Sequence, residues 1–500
     1  MKKFFIYCFA AAMMAAVIPG CSGKTPADPV PPEEEKPEEP EKPDKPGKPG
    51  NYEELVNNDY GIDVPAMEDY FAAVLAGRKA EYADPKIVEA TDLKGVAQLV
   101  WDVWKIANAE FDEDKLPSLR AIDYSETAPV SGTWKLGSEN MKFFYGYKGS
   151  KPRDGYPLFL DLHGSGDNQE EFDVTYQWAY YFDDAPSVYF IPRSPQGGTG
   201  CRWYQPTRQQ AWERLFRQAF ISGDIDPNRI YIFGISEGAY GSQRLASFYA
   251  DYIAGAGPIA GGEQMFYAPP ENCASIAFCL QTGENDTWYG RKLLTQRAKE
   301  QFDSLQTAHP GYYVHKIDLQ PGYDHWCDYE VTTPWLKDFT RHPHPKYVYW
   351  ENLSLGNVND ESAAFRDGFY NLYVKERSTD DSDEFVRSCY EMNIEGNTVN
   401  LNVNVVTVQP GNYVTQVESD GQWQMNIGET KTYVPATKGR IVIYLNDELV
   451  DLSKPVSIVV NGKEKFNDTL TLTLKDIVTS CAEYFDPERL FPASIEITVE

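Results

Sequence analysis

Ser236 is the residue of this chain whose surroundings first suggest chemistry. It stands in the pentapeptide 234–238, Gly-Ile-Ser-Glu-Gly, which directly follows the apolar run 230–233 and directly precedes a stretch of helical composition, 239–249. A sharp strand-to-helix turn needs glycines, because side chains there would collide with the adjacent strand and helix. Such a turn lifts the serine hydroxyl above a sheet. The context therefore favours a nucleophile over the alternative, a glycine-rich turn without chemistry.

A serine nucleophile needs a general base, and a histidine in a loop after the last sheet strand would serve. Of the six histidines, His325 lies in the loop just after the last apolar run of the predicted sheet, 312–319. An acid that orients the imidazole is expected after the preceding strand, where Asp286 is the best candidate and Glu284 the reserve. We therefore predict Ser236, His325 and Asp286 as the catalytic residues.

A second glycine-containing loop, 163–166 (His-Gly-Ser-Gly), follows the earlier predicted strand 158–162. Small residues there let backbone N–H groups approach a substrate oxygen. We expect one donor of an oxyanion hole from Ser165 or Gly166, and the other from the N–H of Glu237, directly after the nucleophile. Two such donors stabilise the negative oxygen that develops when the serine attacks a carbonyl group.

Short apolar runs alternate with helical stretches in the part of the chain that carries these residues. The runs are 157–162, 187–191, 229–233, 254–260, 275–280 and 312–319, and the clearest helical stretches are 209–222 and 241–251. This alternation predicts a doubly wound, mostly parallel sheet with helices on both faces. The loops after its strands would then meet at one edge of the sheet.

The flanking regions have other patterns. Residues 51–130 contain apolar positions three and four residues apart, which predicts a small helical segment packed on the catalytic domain. Residues 347–500 contain few helical signals and predict an all-β, sandwich-like domain. Its alternating stretches are 397–408, 440–445, 456–460 and 468–474, and Asn461-Gly462 is a two-residue hairpin turn.

Residues 131–346 resemble the α/β-hydrolase superfamily, and most closely its secreted esterase branch, which holds polyhydroxybutyrate depolymerase-like and feruloyl or acetyl xylan esterases. The stretch 224–241, Asp-Ile-Asp-Pro-Asn-Arg-Ile-Tyr-Ile-Phe-Gly-Ile-Ser-Glu-Gly-Ala-Tyr-Gly, carries much of the likeness, with Ala239 where relatives often have Gly. The chain order Ser, Asp, His is the order of this fold. The resemblance implies a serine carboxylic-ester hydrolase that forms an acyl-enzyme and needs no metal or organic cofactor.

The N-terminus predicts export. Residues 1–20 have a short basic start and an apolar stretch, and they end before Cys21 in a pattern that resembles the lipobox of bacterial lipoproteins. The alternative is an ordinary cleaved signal peptide. Residues 21–50 are rich in Pro, Glu and Lys and predict an extended linker. We expect a protein anchored by lipid on Cys21 to the bacterial cell envelope, at the periplasmic side of the outer membrane or at the cell surface.

The net charge and the aromatic residues indicate which binding partners and substrates to expect. The net charge of −29 argues against nucleic acid, which demands a basic face. Trp203, Trp288 and Trp326 fall near the predicted catalytic edge, where aromatic platforms suit a sugar or a hydroxycinnamoyl group; ordinary packing is the alternative. The expected substrates are acetyl or feruloyl esters of polysaccharides.

Two other functions remain open. A prolyl-oligopeptidase-type serine peptidase would share the triad and the fold, but the segment before residue 130 is too short for the large propeller that such enzymes usually carry. A non-catalytic glycan-binding surface lipoprotein would use the C-terminal β domain as its binder. The intact triad counts against that reading.

Overall fold

The computed structural model describes residues 52–198, 202–356, 365–418 and 421–500, and Pro46–Glu500 forms one compact unit. The predicted signal peptide, Cys21 and the linker to residue 50 lie outside the described residues. Within the described ranges, no helix combines the length and the apolar character needed to cross a membrane.

Helices and β-strands alternate through the middle of the chain, and strands dominate after residue 346. The helices are α1 (Tyr52–Val56), α2 (Val64–Leu75), α3 (Leu93–Glu110), α4 (Asn168–Tyr181), α5 (Pro206–Ser222), α6 (Glu237–Tyr249), α7 (Arg291–Ala308), α8 (Thr332–Leu336) and α9 (Leu474–Tyr484). The strands are β1 (Arg120–Ala121), β2 (Gly132–Leu136), β3 (Glu139–Lys148), β4 (Tyr156–Leu162), β5 (Ser187–Pro192), β6 (Ile225–Ile235), β7 (Gly255–Ile259), β8 (Ala277–Gly283), β9 (His315–Gln320), β10 (Tyr347–Asn352), β11 (Gly368–Phe369), β12 (Leu372–Glu376), β13 (Val386–Glu395), β14 (Thr398–Glu418), β15 (Gly421–Pro435), β16 (Arg440–Leu445), β17 (Val456–Val460), β18 (Lys463–Asp468) and β19 (Ala493–Thr498).

The central sheet positions the predicted catalytic loops. Its strand order is β1-β3-β5-β4-β6-β7-β8-β9, with β2 paired to β3. The strands from β4 to β9 run parallel, and β3 runs antiparallel to β5. Helices α4 to α7 lie in crossover connections, which parallel neighbours require. The predicted fold class, a mostly parallel sheet followed by a β-rich region, is therefore confirmed.

Both faces of the sheet are buried. On β4, Leu158, Leu160 and Leu162 point into the same apolar core as residues of α5 and α6, whereas Phe159 packs on the opposite face with residues of α4. Each side chain of this size stabilises the fold by about 1.5–3 kcal/mol when it is removed from water. This two-sided burial explains why the strands appear in the sequence as continuous apolar runs.

The C-terminal region contains two sheets. One has the order β10-β13-β14-β17-β18 with β15 paired to β14, and the other has the order β11-β12-β16-β19. Trp350 and Phe369 stack between them, with ring centroids 5.3 Å apart. Asn461 and Gly462 both have positive φ and connect β17 to β18, as predicted. The predicted alternating strand 468–474 is wrong, because β18 ends at Asp468 and α9 begins at Leu474.

The N-terminal helices join the two parts of the unit. The N–H of Val88 donates to the carbonyl of Leu472 at 2.9 Å, and α3 packs against α9 in the C-terminal region. On the other side, Arg217 of α5 forms a 2.6 Å ion pair with Glu113. The segment therefore packs on both the central sheet region and the C-terminal region, not on the catalytic region alone.

A buried ion network ties the C-terminal region to the central one. Arg366 and Arg489 both pair with Asp251, and Arg341 pairs with Asp486 at 2.6 Å. Burial acts to raise the pKa of Asp486, but Arg341 and Arg489 outweigh it and lower the pKa to about 2. Because each of these charges is buried, removing one partner would leave another uncompensated. The predicted boundary between residues 346 and 347 stays a prediction, since this network crosses it.

The sequence leaves the disulfide pairing open. The described cysteines are buried and unpaired: Cys273, Cys279, Cys327, Cys389 and Cys481. Burial raises the pKa of the Cys273 thiol to about 12, so this group stays protonated at neutral pH. Such thiols pack as small apolar side chains.

Candidate active site

Ser236 occupies a strained turn between β6 and α6. Its φ is +58° and its ψ is −112°, values that a residue with a side chain adopts only when the surroundings enforce them. The N–H of Ser236 donates to the carbonyl of Ile259 at 2.9 Å. A Cβ atom on Gly238 would lie 1.8 Å from the carbonyl oxygen of Leu162, so only glycine lets α6 pack this closely on β4. The serine hydroxyl is therefore held at the carboxyl edge of the sheet.

The structure brings the three predicted catalytic side chains together. Nε2 of His325 lies 3.1 Å from Oγ of Ser236, and Nδ1 of His325 lies 2.7 Å from Oδ2 of Asp286. These are hydrogen-bond distances. Asp286 is buried, whereas His325 is partly exposed and can meet a ligand. An imidazole held in this way can accept the serine proton while the carboxylate stabilises its charged form. The reserve acid, Glu284, is exposed instead.

Arg291 supports the Asp286 carboxylate and was not predicted from the sequence. Its NH1 group donates to Oδ1 of Asp286 at 3.0 Å, and its Nε donates to the hydroxyl of Tyr240 at 3.2 Å. Arg291 therefore occupies the carboxylate oxygen that does not face the imidazole. The signal was its position at the start of the helix after the acid loop. Tyr329 adds a further support, because its hydroxyl donates to the backbone carbonyl of His325.

The loop after β4 is held by the buried side chain of His163. Nε2 of His163 accepts from the N–H of Ser194 at 3.0 Å, so Nδ1 carries the proton and donates to the carbonyl of Gly164 at 2.7 Å. Burial lowers the pKa of His163 to about 4, and the ring is therefore neutral at neutral pH. A Cβ on Gly166 would lie 2.4 Å from Oε1 of Glu171. His163 therefore holds the loop in place through both of its ring nitrogens.

Two of the three predicted oxyanion residues border the cavity of Ser236. Ser165 and Glu237 both line it, and Glu237 is the first residue of α6, where the N–H has no partner within the helix. Gly166 packs against Glu171 instead. The donor roles of the three N–H groups stay predictions.

The predicted aromatic platform is wrong at Trp203. That side chain is 0% exposed, and its Nε1 donates to the carbonyl of His163 at 2.9 Å. Its ring packs edge-on against the His163 ring and supports the loop after β4. Trp288 and Trp326 are 52% and 62% exposed, and the Trp326 ring centroid lies 6.3 Å from that of His325. Their role in substrate binding stays a prediction.

A cavity of about 340 Å³ opens beside the serine hydroxyl. Its walls combine tyrosine rings, ion-paired side chains and two residues of β15. The lining residues include Ser236, Tyr204, Tyr240, Tyr289, Gln424 and Met425. Met425 was not predicted from the sequence, because it comes from the C-terminal region far along the chain and no local pattern marks it.

The cavity holds ion pairs. Arg202 lies 2.6 Å from Glu237, Arg244 lies 2.6 Å from Glu263, and Arg291 pairs with Asp286. Burial raises the pKa of Glu237, although Arg202 opposes this shift. Across the described part of the chain, no group of three or more His, Cys, Asp or Glu side chains is placed to hold a metal ion.

Comparisons with known proteins find a depolymerase among the curated proteins and esterases among the solved structures. No protein-family model matches the chain. The chain is 25% identical over 183 residues to poly(3-hydroxyalkanoate) depolymerase C of Paucimonas lemoignei, a match that covers 34% of this chain and 43% of that protein. The chain thus spans less than half the length of this curated relative.

Solved structures with partial likeness include esterases and a peptidase. A thermostable esterase has 21% identity and a TM-score of 0.32, covering 42% of this chain and 62% of its own. A mutant feruloyl esterase module from Clostridium thermocellum, in complex with sinapinate, has 15% identity and a TM-score of 0.31, covering 47% and 99%. A putative dipeptidyl aminopeptidase IV from Bacteroides ovatus has 12% identity and a TM-score of 0.33, covering 41% and 34%.

The central sheet brings the three predicted catalytic side chains to one edge. The serine follows β6, the acid follows β8 and the histidine follows β9, so all three project from the same edge of the parallel sheet. The region from β2 to α8 therefore has the α/β-hydrolase fold, and a β-rich C-terminal region completes its compact unit.

Proposed function

We propose that the protein is a serine carboxylic-ester hydrolase that works through an acyl-enzyme on Ser236. The observation that carries this proposal is the hydrogen-bonded chain from Ser236 through His325 to Asp286, with distances of 3.1 and 2.7 Å. The curated relative is a depolymerase whose name denotes a polyester, which supports an ester as the bond that is cleaved.

The first half-reaction transfers the acyl group. His325 takes the proton of the Ser236 hydroxyl while the serine oxygen attacks the ester carbonyl, and the carbonyl oxygen becomes negative. The N–H groups of Glu237 and of Ser165 or Gly166 donate to that oxygen. When the tetrahedral intermediate collapses, the alcohol leaves with the proton from His325, and Ser236 carries the acyl group.

The second half-reaction releases the acid. His325 takes a proton from a water molecule as the water oxygen attacks the acyl-enzyme. The intermediate collapses, and the serine oxygen recovers its proton from His325. The Asp286 side chain stabilises the imidazolium in both steps. The cycle consumes one water and needs no cofactor.

The finer proposal is that acetyl or feruloyl esters of polysaccharides are the substrates. Tyrosine rings and amide groups line the cavity beside the serine, and two exposed tryptophans, Trp288 and Trp326, flank the same edge of the sheet. Aromatic faces and hydrogen-bonding groups together suit sugar rings and hydroxycinnamoyl groups.

A substrate panel tests both levels of the proposal. Wild type and Ser236→Ala are compared on 4-nitrophenyl acetate, acetylated xylo-oligosaccharides, feruloylated arabino-oligosaccharides and an aminoacyl 4-nitroanilide. Hydrolysis of an ester that disappears in Ser236→Ala supports the proposed activity. Preferential cleavage of the anilide would instead support a peptidase, and equal background rates for both proteins would remove the proposed activity altogether.

The proposed location is the bacterial cell envelope, with a lipid on Cys21. The support is the sequence pattern of residues 1–21 and the charged, proline-rich stretch that follows. Expression of the whole chain with Cys21→Ala should move the protein from the membrane fraction to the soluble exported fraction. An unchanged membrane association of this variant would argue against the lipid anchor.

A further inference from the structure

A long β-hairpin reaches from the C-terminal region to the active-site cavity. Strands β14 and β15 pair from Asn404 and Pro435 to Glu418 and Gly421. Only the first part of β14 has a partner on its other edge, because β13 pairs with it no further than Thr407. The outer half is thus a two-stranded ribbon, and such a ribbon is marginally stable by itself.

The central domain holds this ribbon in place. The N–H of Asn426 donates to the side-chain oxygen of Gln264 at 3.0 Å. Nε of Arg297, on α7, donates to the carbonyl of Ile427 at 2.9 Å. Both contacts use the strand that borders the cavity, so that strand forms a fixed wall.

A second anchor lies further along β15. The Lys431 ammonium group forms ion pairs with Glu271 of the central domain at 3.1 Å and with Glu351 of β10 at 2.8 Å. All three side chains are largely buried. Buried ion pairs fix a geometry, since separating the partners leaves uncompensated charge. The hairpin is therefore positioned by its base as well as by its outer half.

Met425 is the apolar residue that the wall presents to the cavity. It lines the cavity together with Ser236 and the rings of Tyr240 and Tyr289. Its side chain is only 6% exposed, although the neighbouring Gln424 is exposed. A flexible thioether in this place limits the room beside the nucleophile.

The charged groups of the cavity are already neutralised by one another. Arg202 pairs with Glu237 at 2.6 Å, and Arg291 pairs with the buried acid Asp286 at 3.0 Å. A ligand carboxylate would have to compete with these partners and lose its own hydration, which is costly in a partly buried site. The cavity should therefore discriminate between ligands by their size and apolar contacts and not by their charge.

We propose that Met425 determines the substrate range of the site, by limiting the length of the uncharged ester group that lies in the cavity. The inference rests on the proposed ester hydrolysis and deepens it. It assigns a specificity role to the C-terminal region, which contributes neither nucleophile, base nor acid. The substrate class is a neutral ester whose group beside the scissile bond fits between the tyrosine rings and the hairpin.

Two series of neutral esters test the inference. In the first, the acyl group of a 4-nitrophenyl ester grows from acetyl to octanoyl; in the second, the alcohol of an acetyl ester grows over the same range. Met425→Ala removes three heavy atoms from the wall. The measured quantity is kcat/KM for the longest ester divided by kcat/KM for the shortest. In the series whose variable group occupies the cavity, Met425→Ala should raise this ratio by about tenfold or more. Met425→Trp should lower the same ratio.

Tyr413→Ala is the matched control. Tyr413 belongs to the strand β14 of the same ribbon and is 60% exposed. The kcat/KM ratio of Tyr413→Ala should therefore stay within about twofold of the wild-type ratio. That change is far below the effect of one methylene in a fitted pocket. Ratios taken within one variant cancel differences in the folded fraction. Anionic esters with a terminal carboxylate should be poorer substrates than their neutral isosteres.

The outcomes separate the two proposals. An active Met425→Ala variant whose ratios match those of the wild type in both series would overturn the inference alone. A Tyr413→Ala variant that shifts the ratio as much as Met425→Ala would also overturn it, since the effect would then belong to the hairpin as a whole. Wild-type rates no higher than those of Ser236→Ala would overturn the proposed ester hydrolysis itself.

Discussion

Replacement of Asp286 by Asn exchanges one carboxylate oxygen for an NH2 group. It tests whether the acid fixes which ring nitrogen of His325 carries the proton. In the folded protein, Arg291 donates to Oδ1 of Asp286 at 3.0 Å, and Oδ2 lies 2.7 Å from Nδ1 of His325. A guanidinium group can only donate hydrogen bonds. The amide oxygen of the substituted side chain must therefore face Arg291, and its NH2 group must face His325.

The orientation of that amide decides which nitrogen of the histidine carries the proton. Nδ1 would have to accept from the NH2 group, so the proton would move to Nε2, the nitrogen 3.1 Å from Oγ of Ser236. An Nε2 that is already protonated cannot take the serine proton. The wrong tautomer in a Ser-His-Asp site lowers kcat by about 10⁴, which equals about 5 kcal/mol of transition-state stabilisation.

The assay is steady-state hydrolysis of 4-nitrophenyl acetate at pH 8 by the folded variants. We expect kcat of Asp286→Asn to collapse while KM changes little, because the ester does not touch this residue. The double variant Asp286→Asn/Arg291→Met frees the amide to turn its oxygen towards His325, and it should regain part of the lost kcat. A kcat for Asp286→Asn within about tenfold of the wild type would refute the reasoning, because that loss is only about 1.4 kcal/mol.

Three further predictions concern stability. Trp203→Ala removes a fully buried indole and should lower the free energy of unfolding by about 3–5 kcal/mol in denaturant titrations, whereas the same change at exposed Trp326 should have little effect. Burial holds the pKa of His163 at about 4, below the unfolded value of about 6.5. The unfolded state then binds more protons between these values, so stability should fall as the pH drops from about 6.5 to about 4, and less steeply in His163→Gln. Arg366→Met leaves the buried Asp251 with one cation fewer and should cost about 3 kcal/mol or more, seen as a lower denaturation midpoint; an unchanged midpoint would show that the network contributes no stability.

The fold of the central domain was readable from the sequence because its signals are local. Two-sided burial turns the strands of a parallel sheet into apolar runs, and the runs around residues 157–162 and 229–233 correspond to β4 and β6. The hairpin turn at Asn461-Gly462 was equally local, since both residues tolerate positive φ. The stretch 468–474 misled, because an alternating pattern is compatible with an extended approach to a helix, and Thr473 caps α9 instead of extending a strand.

In the candidate site, too, some residues could be predicted from local sequence patterns and others could not. Ser236, His325 and Asp286 could be proposed because each follows a recognisable strand, and parallel strands deliver their loops to one edge. Trp203 was misjudged because an aromatic residue near a loop has the same sequence pattern whether it stacks on a ligand or supports the loop from below. Only the folded structure shows that the Trp203 ring is fully buried and packs edge-on against the ring of His163.

By itself, the sequence determined the candidate catalytic groups: a serine in a glycine-flanked turn, with a histidine and an acid in the loops that follow later strands. The tertiary structure decided the boundary of the cavity, because Met425 reaches it from a segment that is distant in the chain and Arg291 meets Tyr240 from another part of the chain. Local patterns record which face of a strand or helix is buried. They do not indicate which distant segment covers that face, because this depends on how the apolar surfaces and buried charges of the whole chain pack together.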